Sequence, residues 1–190
     1  MSKRTLAIKN MVCNRCVMVV GQVLEELGLA AEKLTLGEAI LQEEPSAEQL
    51  DQLQQKLHAL GFELLDDRRS ALVEKIKNQV VELIHQTEQV DLKVNLSSWL
   101  QDKLGVHYST LSALFSEVTG TTIEKYVIEQ KIERAKELLV YDELSLSEIS
   151  VLLGYSSVQH LSTQFKKTTG LTPSQFKALK EKSRRTLDEI

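Results

Sequence analysis

The chain has 190 residues, 42% hydrophobic and 26% charged, with 8 Gly and 2 Pro. That composition belongs to a globular protein and excludes collagen-like, mucin-like and disordered chains. The net charge of −4 is unevenly spread: residues 1–67 carry 6 Lys+Arg against 11 Asp+Glu, a net −5, and residues 68–190 carry 17 against 16, a net +1.

The longest uncharged run, Ile149–Phe165, is laced with Ser, Gln and His, so it is too polar to span a bilayer and no membrane partner is expected. Lys9 and Arg15 interrupt the apolar residues near the N-terminus, so no secretory signal is expected and the expected compartment is the cytoplasm. Two cysteines cannot build a disulfide framework. They stand together as Cys13-x-x-Cys16.

In chain order, Arg4–Ile8 alternates weakly, with Leu6 and Ile8 on one face, and predicts a short strand. Cys16–Leu27 carries Val19, Val20, Val23, Leu24 and Leu27 at helical spacing, and Gly28 stops it. Leu34–Leu41 alternates around Gly37 and predicts a hairpin. Ser46, after Pro45, is a predicted N-cap for a helix with an apolar stripe of Leu50, Leu53, Leu57 and Leu60, ended by Gly61. Phe62–Leu65 closes the set as a last strand. The predicted order is β-α-β-β-α-β, the split βαβ or ferredoxin-like pattern, over 1–67.

Asp66–Ser70 is a charged junction and the predicted boundary. Beyond it, 68–190 predicts an all-α domain of about seven helices and no sheet. They are Leu72–His85, Leu96–Leu104, Ser109–Val118, Ile123–Leu139, Ser147–Leu153, Ser157–Thr168 and Pro173–Lys182. This half repeats itself. Asn95–Thr122 and Ser145–Thr172 align at an offset of 50, with 8 of 28 residues identical. Gly105 and Gly154 align at offset 49. Each copy reads as short helix, Gly turn, second helix, Thr-Gly, which is a helix-turn-helix twice over.

A recognition helix buries one face and shows small or polar residues on the other. In the first copy Leu111, Leu114, Phe115 and Val118 form the predicted buried face. Tyr108, Ser109, Ser112, Ala113 and Ser116 face out, with Ser109, Ser112 and Ala113 as base readers. In the second copy Leu161 and Phe165 are buried, and Val158, Gln159, Ser162 and Thr163 are the base readers. Gln suits adenine, Ser and Thr either base type, and a Val methyl suits thymine. Ser156, Ser157, Lys166, Lys167 and Lys177 suit phosphate. Ser145–Leu187 carries 7 basic residues against Glu148 and Glu181, a net +5, whereas no Lys or Arg lies between Val106 and Glu124. The second unit is therefore expected to read more strongly.

The segment Leu146–Phe176, with its Leu-Gly-Tyr-Ser-Ser turn, Phe-Lys-Lys core and Gly-x-Thr-Pro-Ser-x-Phe tail, resembles the AraC/XylS family of transcription regulators. Gln130–Leu139 matches that family's linker helix, and the resemblance extends over roughly Leu72–Leu179. It implies two helix-turn-helix units, joined by one long helix, reading successive major grooves of double-stranded DNA. RNA polymerase is a candidate second partner.

The Cys13-x-x-Cys16 pair falls between a predicted strand and helix. A helix N-terminus and the Arg15 charge both favour thiolate there. Two thiolates at this spacing suit Cu(I) or another soft ion, with Zn(II) needing further ligands. A redox pair is the rival chemistry. Met-x-Cys-x-x-Cys at Met11–Cys16, with Leu60-Gly61-Phe62 before the last strand, resembles the heavy-metal-associated domains of copper chaperones, although Asn10 stands where that family usually has Gly. The resemblance implies Cys13 and Cys16 as metal ligands. An alternative is a fold kept as an interaction module.

His58 and His85 lie on helices without ligand spacing and are read as structural. No catalytic constellation is visible, so no enzyme is expected. The resulting expectation is a sequence-specific DNA-binding regulator responsive to Cu(I) or thiol redox through Cys13 and Cys16. The alternative is a metal-handling, copper-chaperone-like protein whose helical half binds a partner.

Overall fold

The computed structural model describes residues 3–65, 67–86 and 95–183. They fall into two compact units, Met1–Gln79 with Ala113–Val118, and Val80–Ser112 with Thr119–Ile190.

The first unit begins with β1 (Arg4–Lys9), α1 (Asn14–Glu26), β2 (Ala31–Thr35), β3 (Glu38–Leu41), α2 (Ala47–Ala59) and β4 (Glu63–Leu65). Residue patterning predicts this order. The strands form one antiparallel sheet in the order β2-β3-β1-β4. Leu6 and Ile8 of β1 point into the core, against Val20 and Leu24 of α1 and Leu53 and Leu57 of α2. Each fully buried Leu or Ile contributes about 1.5–3 kcal/mol. Ser46 caps α2 in a capping box: its Oγ accepts from the Gln49 N–H (3.1 Å), and the Gln49 side chain accepts from the Ser46 N–H (3.0 Å). Leu60 departs from the predicted stripe and is 50% exposed, because the helix closes at this C-cap before another turn can carry it inward.

Asp66 of the charged junction lies outside the described residues, and the rest of it, Asp67–Ser70, is a helix start. The Asp67 carboxylate accepts from the backbone N–H groups of Arg69 and Ser70, both at 3.0 Å, and so caps α3 (Arg68–Val81). These hydrogen bonds hold the Asp67 carboxyl below its usual range. Residues 68–79 of α3 belong to the first unit. Asn78 packs against the turn glycine Gly37, where a Cβ would lie 2.1 Å from the Asn78 amide nitrogen. With φ at 77°, Gly37 meets two demands that other residues would not. Lys75 pairs with Glu38.

A π-helical turn, Glu82–Gln86, follows α3. Then come α4 (Leu96–Leu104), α5 (Tyr108–Thr119), α6 (Ile123–Tyr141), α7 (Leu146–Leu152), α8 (Val158–Thr169) and α9 (Pro173–Ser183). Among the described residues this half has no strand, as predicted.

The repeat extends to the capping chemistry. Asn95 caps α4 and Ser145 caps α7. Gly105 and Gly154 turn the chain with φ of 66° and 65°. The Thr119 hydroxyl accepts from the Thr121 N–H (3.3 Å), and the Thr169 hydroxyl accepts from the Leu171 N–H (3.2 Å). Thr122 and Thr172 each accept from the N–H three residues on, both at 3.2 Å.

Candidate nucleic-acid interface and thiol site

Ser157 positions the second reader. It caps α8, and its Oγ accepts from the His160 N–H at 3.1 Å. Leu161 and Phe165 are fully buried, so the opposite face turns outward. Gln159, Thr163, Lys166 and Lys167 are exposed, and Val158 and Ser162 are half-buried. Thr163 donates its hydroxyl proton to the Gln159 carbonyl (2.8 Å). It therefore offers a methyl group and an acceptor to a ligand, while Gln159 offers both amide donor and acceptor.

His160 was not among the predicted readers. It is exposed, its Nδ1 lies 3.1 Å from the Ser156 hydroxyl, and its ring packs edge-on against Tyr155 at 5.3 Å. Lys177 is half-buried and paired with Asp142, so a phosphate there must displace a carboxylate.

The first reader is plainer. Ser109 and Ala113 are exposed and Ser112 is half-buried. Tyr108 does not face freely outward. It is half-buried, and its hydroxyl donates to the Glu124 carboxylate at 2.5 Å. Burial and that bond push the Tyr108 phenol above its usual range and hold the Glu124 carboxyl below its own. Val118 is 45% exposed in the last turn of α5, like its exposed repeat counterpart Thr168.

Behind α8, the Lys131 ammonium of α6 lies 5.2 Å from the Tyr155 ring centroid, and burial lowers its pKa to about 8. Burial pushes the Tyr155 phenol up to about 12, and its hydroxyl is buried without a hydrogen-bond partner among the described residues. Between about pH 8 and 10.5 the unfolded chain keeps a Lys131 proton that the folded chain has released, so stability rises with pH there. Tyr155 contributes in the opposite sense between about pH 10 and 12, where the unfolded phenol has ionised and the folded one has not, so its contribution falls as pH rises. Lys131→Met should therefore stabilise the helical half by about 1 kcal/mol near neutral pH, after discounting for solvent screening and the lost cation–π contact. The gain should fade toward about pH 10. Denaturant unfolding followed by Trp99 fluorescence checks this, and a destabilised variant at neutral pH would show that the ring attraction outweighs burial.

In the first unit Cys13 is the N-cap of α1, and its Sγ lies 3.5 Å from that of Cys16. Both are half-buried free thiols. The Cys16 backbone N–H, then the Cys16 side chain, and more weakly Arg15 hold the Cys13 thiol below its usual range. Asn10, which opens this loop, has φ 72°, a left-handed conformation that suits Gly first and Asn next. Among the described residues no group of three or more His, Cys, Asp or Glu converges. The donor set therefore fits a two-coordinate soft ion and lacks the further ligands of a tetrahedral zinc site. His58 is exposed on α2. His85 is half-buried, its Nε2 lies 3.2 Å from the Gln130 side-chain oxygen, and burial lowers its pKa.

Residues 100–178 match a family model described as a helix-turn-helix domain. The C-terminal half therefore holds a helix-turn-helix domain. The xylose operon regulatory protein of Escherichia coli K12 is 37% identical over 76 residues, 40% of this chain and 19% of that protein. The Msm operon regulatory protein of Streptococcus mutans is 33% identical over 100 residues, 53% of this chain and 35% of that protein. The transcriptional activator RhaR of Salmonella arizonae is 38% identical over 69 residues, 36% and 24% of the two chains. The chain thus spans 19–35% of the length of these relatives. In fold, the chain is similar to the C-terminal domain of AraT, a response regulator from Geobacillus stearothermophilus. The TM-score is 0.52 at 24% identity, covering 65% of this chain and all of that domain. The thiol site lies outside the residues that match the helix-turn-helix model. Among the described residues no helix is long and apolar enough to cross a membrane.

Proposed function

We propose that the chain is a sequence-specific DNA-binding transcription regulator whose head responds to a soft ligand at Cys13 and Cys16. The observation that carries the DNA reading is the repeat. Two helix-turn-helix units share glycine turns, caps and threonine brackets, and a bundle with no duplex to follow has no need of that equivalence. The regulatory names of the relatives point the same way. RNA polymerase is the second partner in this reading.

Two readers on one face of a duplex should protect two half-sites about 34 Å apart, one helical turn. Selection of duplexes from a random pool, followed by footprinting, tests this. Protection of a single half-site would overturn the two-reader arrangement.

For the head we read a ferredoxin-like, heavy-metal-associated type of domain. Support comes from the strand order, the left-handed Asn10 at the usual glycine position and the paired thiols. Cu(I) suits the two-thiolate donor set. Reduced protein should take up one Cu(I) per chain against a competing chelator, and Cys13→Ser with Cys16→Ser should abolish uptake. If Cu(I) acts as an effector, a tenfold change in DNA affinity requires about 1.4 kcal/mol of coupling. Titrating DNA with and without Cu(I) separates the outcomes. Uptake with unchanged DNA affinity would favour a metal-handling role, and no uptake would leave the head as a partner-binding module.

A further inference from the structure

We propose that Glu74 ties the Cys13–Cys16 loop to helix α3, so that capture of a soft ligand by the two thiols tightens α3 on the head. This rests on the reading of the pair as a ligand site. Carboxylates are rarely buried without a specific partner, yet Glu74 is only 6% exposed. One of its oxygens accepts the backbone N–H of Asn10 at 3.1 Å, and the other lies 3.5 Å from the Lys77 ammonium.

Asn10 is the point where the chain leaves β1 for the cysteine loop. Its left-handed backbone presents the N–H to α3, and its side-chain amide donates to the Gly61 carbonyl at 2.9 Å. The loop is thus clamped at its entry from two sides, and the next residue, Met11, is fully buried. A chelate that fixes Cys13 and Cys16 removes freedom from a loop whose upstream end has little slack. The gain in order falls on the Asn10–Glu74 bond, and by linkage a firmer bond favours the chelate. An ionised acceptor makes this bond stronger than a neutral one would. That accounts for a buried charge where an apolar residue would pack more cheaply. Helix α3 is also the element along which the chain passes from the first compact unit into the second.

The test uses the full chain, reduced, with and without phenylarsine oxide, which condenses with two thiols to form two As–S bonds and release one water. Uptake is read by mass, and the response by amide hydrogen exchange at Asn10 and along 68–79. One bound arsenical should slow exchange at both places about threefold or more. Glu74→Leu should still take up the arsenical but show no change along α3. Glu74→Gln, which keeps an acceptor of the same shape, should respond to an intermediate degree. Unchanged α3 exchange in the loaded wild type, or equal slowing in Glu74→Leu, overturns the proposal. If Glu74→Leu does not fold, a full response in Glu74→Gln overturns the role of the carboxylate. Absence of uptake by the wild type overturns the ligand-site reading itself, a result that the mass measurement distinguishes.

Discussion

Replacing Gln159 with alanine should relax the choice of base at one position of the bound duplex, by about 1–3 kcal/mol if a bidentate contact is lost. Gln159 is exposed on α8, three residues before the half-buried Ser162, on the face opposite the buried Leu161 and Phe165. Thr163→Ala should cost less, because the Thr163 hydroxyl already spends its proton on the Gln159 carbonyl. Lys166→Ala should behave differently in kind. It should weaken all duplexes alike and reduce the salt slope by about one, as expected for a lost phosphate contact. In the first unit, Ser109→Ala with Ser112→Ala should cost less than Gln159→Ala, since α5 presents small side chains and no Lys or Arg there. The measurement is affinity for a selected duplex and its single-base variants at several salt concentrations. Equal losses of discrimination from the two helices would overturn the ranking.

The features legible in the sequence are the local ones. The bounds of α4 are those predicted, because Asn95 and Gly105 mark its ends with side-chain and backbone chemistry that neighbouring residues announce. The glycine spacing likewise gave both helix-turn-helix turns. Asp67 was local too, yet it was hidden: in a run of four charged residues a helix cap looks like a linker until its carboxylate is seen on the Arg69 and Ser70 amides. The rest depends on residues far apart in the chain. Glu74 and Asn10 are 64 positions apart, and Lys177 and Asp142 are 35 apart. Nothing in either residue's neighbourhood signals the other. Asn10 is the exception in part, since it stands where the resembled family usually has Gly, and Gly and Asn are the residues that suit a left-handed backbone. The Lys131–Tyr155 contact has no such signal, because a lysine at helical spacing reads as surface until a ring is found under it.

Phe165→Ala should destabilise the helical half by about 3–5 kcal/mol. Phe165 is fully buried and meets Phe176 of α9 edge-to-face, with ring centroids 5.6 Å apart. Truncation removes the transfer energy of the ring, leaves a cavity between α8 and α9, and forfeits an aromatic pair contributing about 0.5–1.5 kcal/mol beyond its area. Because a domain's total stability is only about 5–15 kcal/mol, the loss takes a large share of it. Phe165→Leu fills most of the space and should cost far less, on the order of 1–1.5 kcal/mol with some loss of packing uniqueness. The chain has a single tryptophan, Trp99, on α4 in the second compact unit. Its fluorescence during denaturant unfolding therefore reports the helical half. The midpoint should fall steeply for Phe165→Ala and slightly for Phe165→Leu, with the slope unchanged in both. Loss of DNA binding at low denaturant should follow the same order, because Phe165 anchors the helix that presents Gln159 and Lys166. A Phe165→Ala variant with an unaltered midpoint would mean that α8 is not held by this contact, and the placement of the second reader would have to be revised.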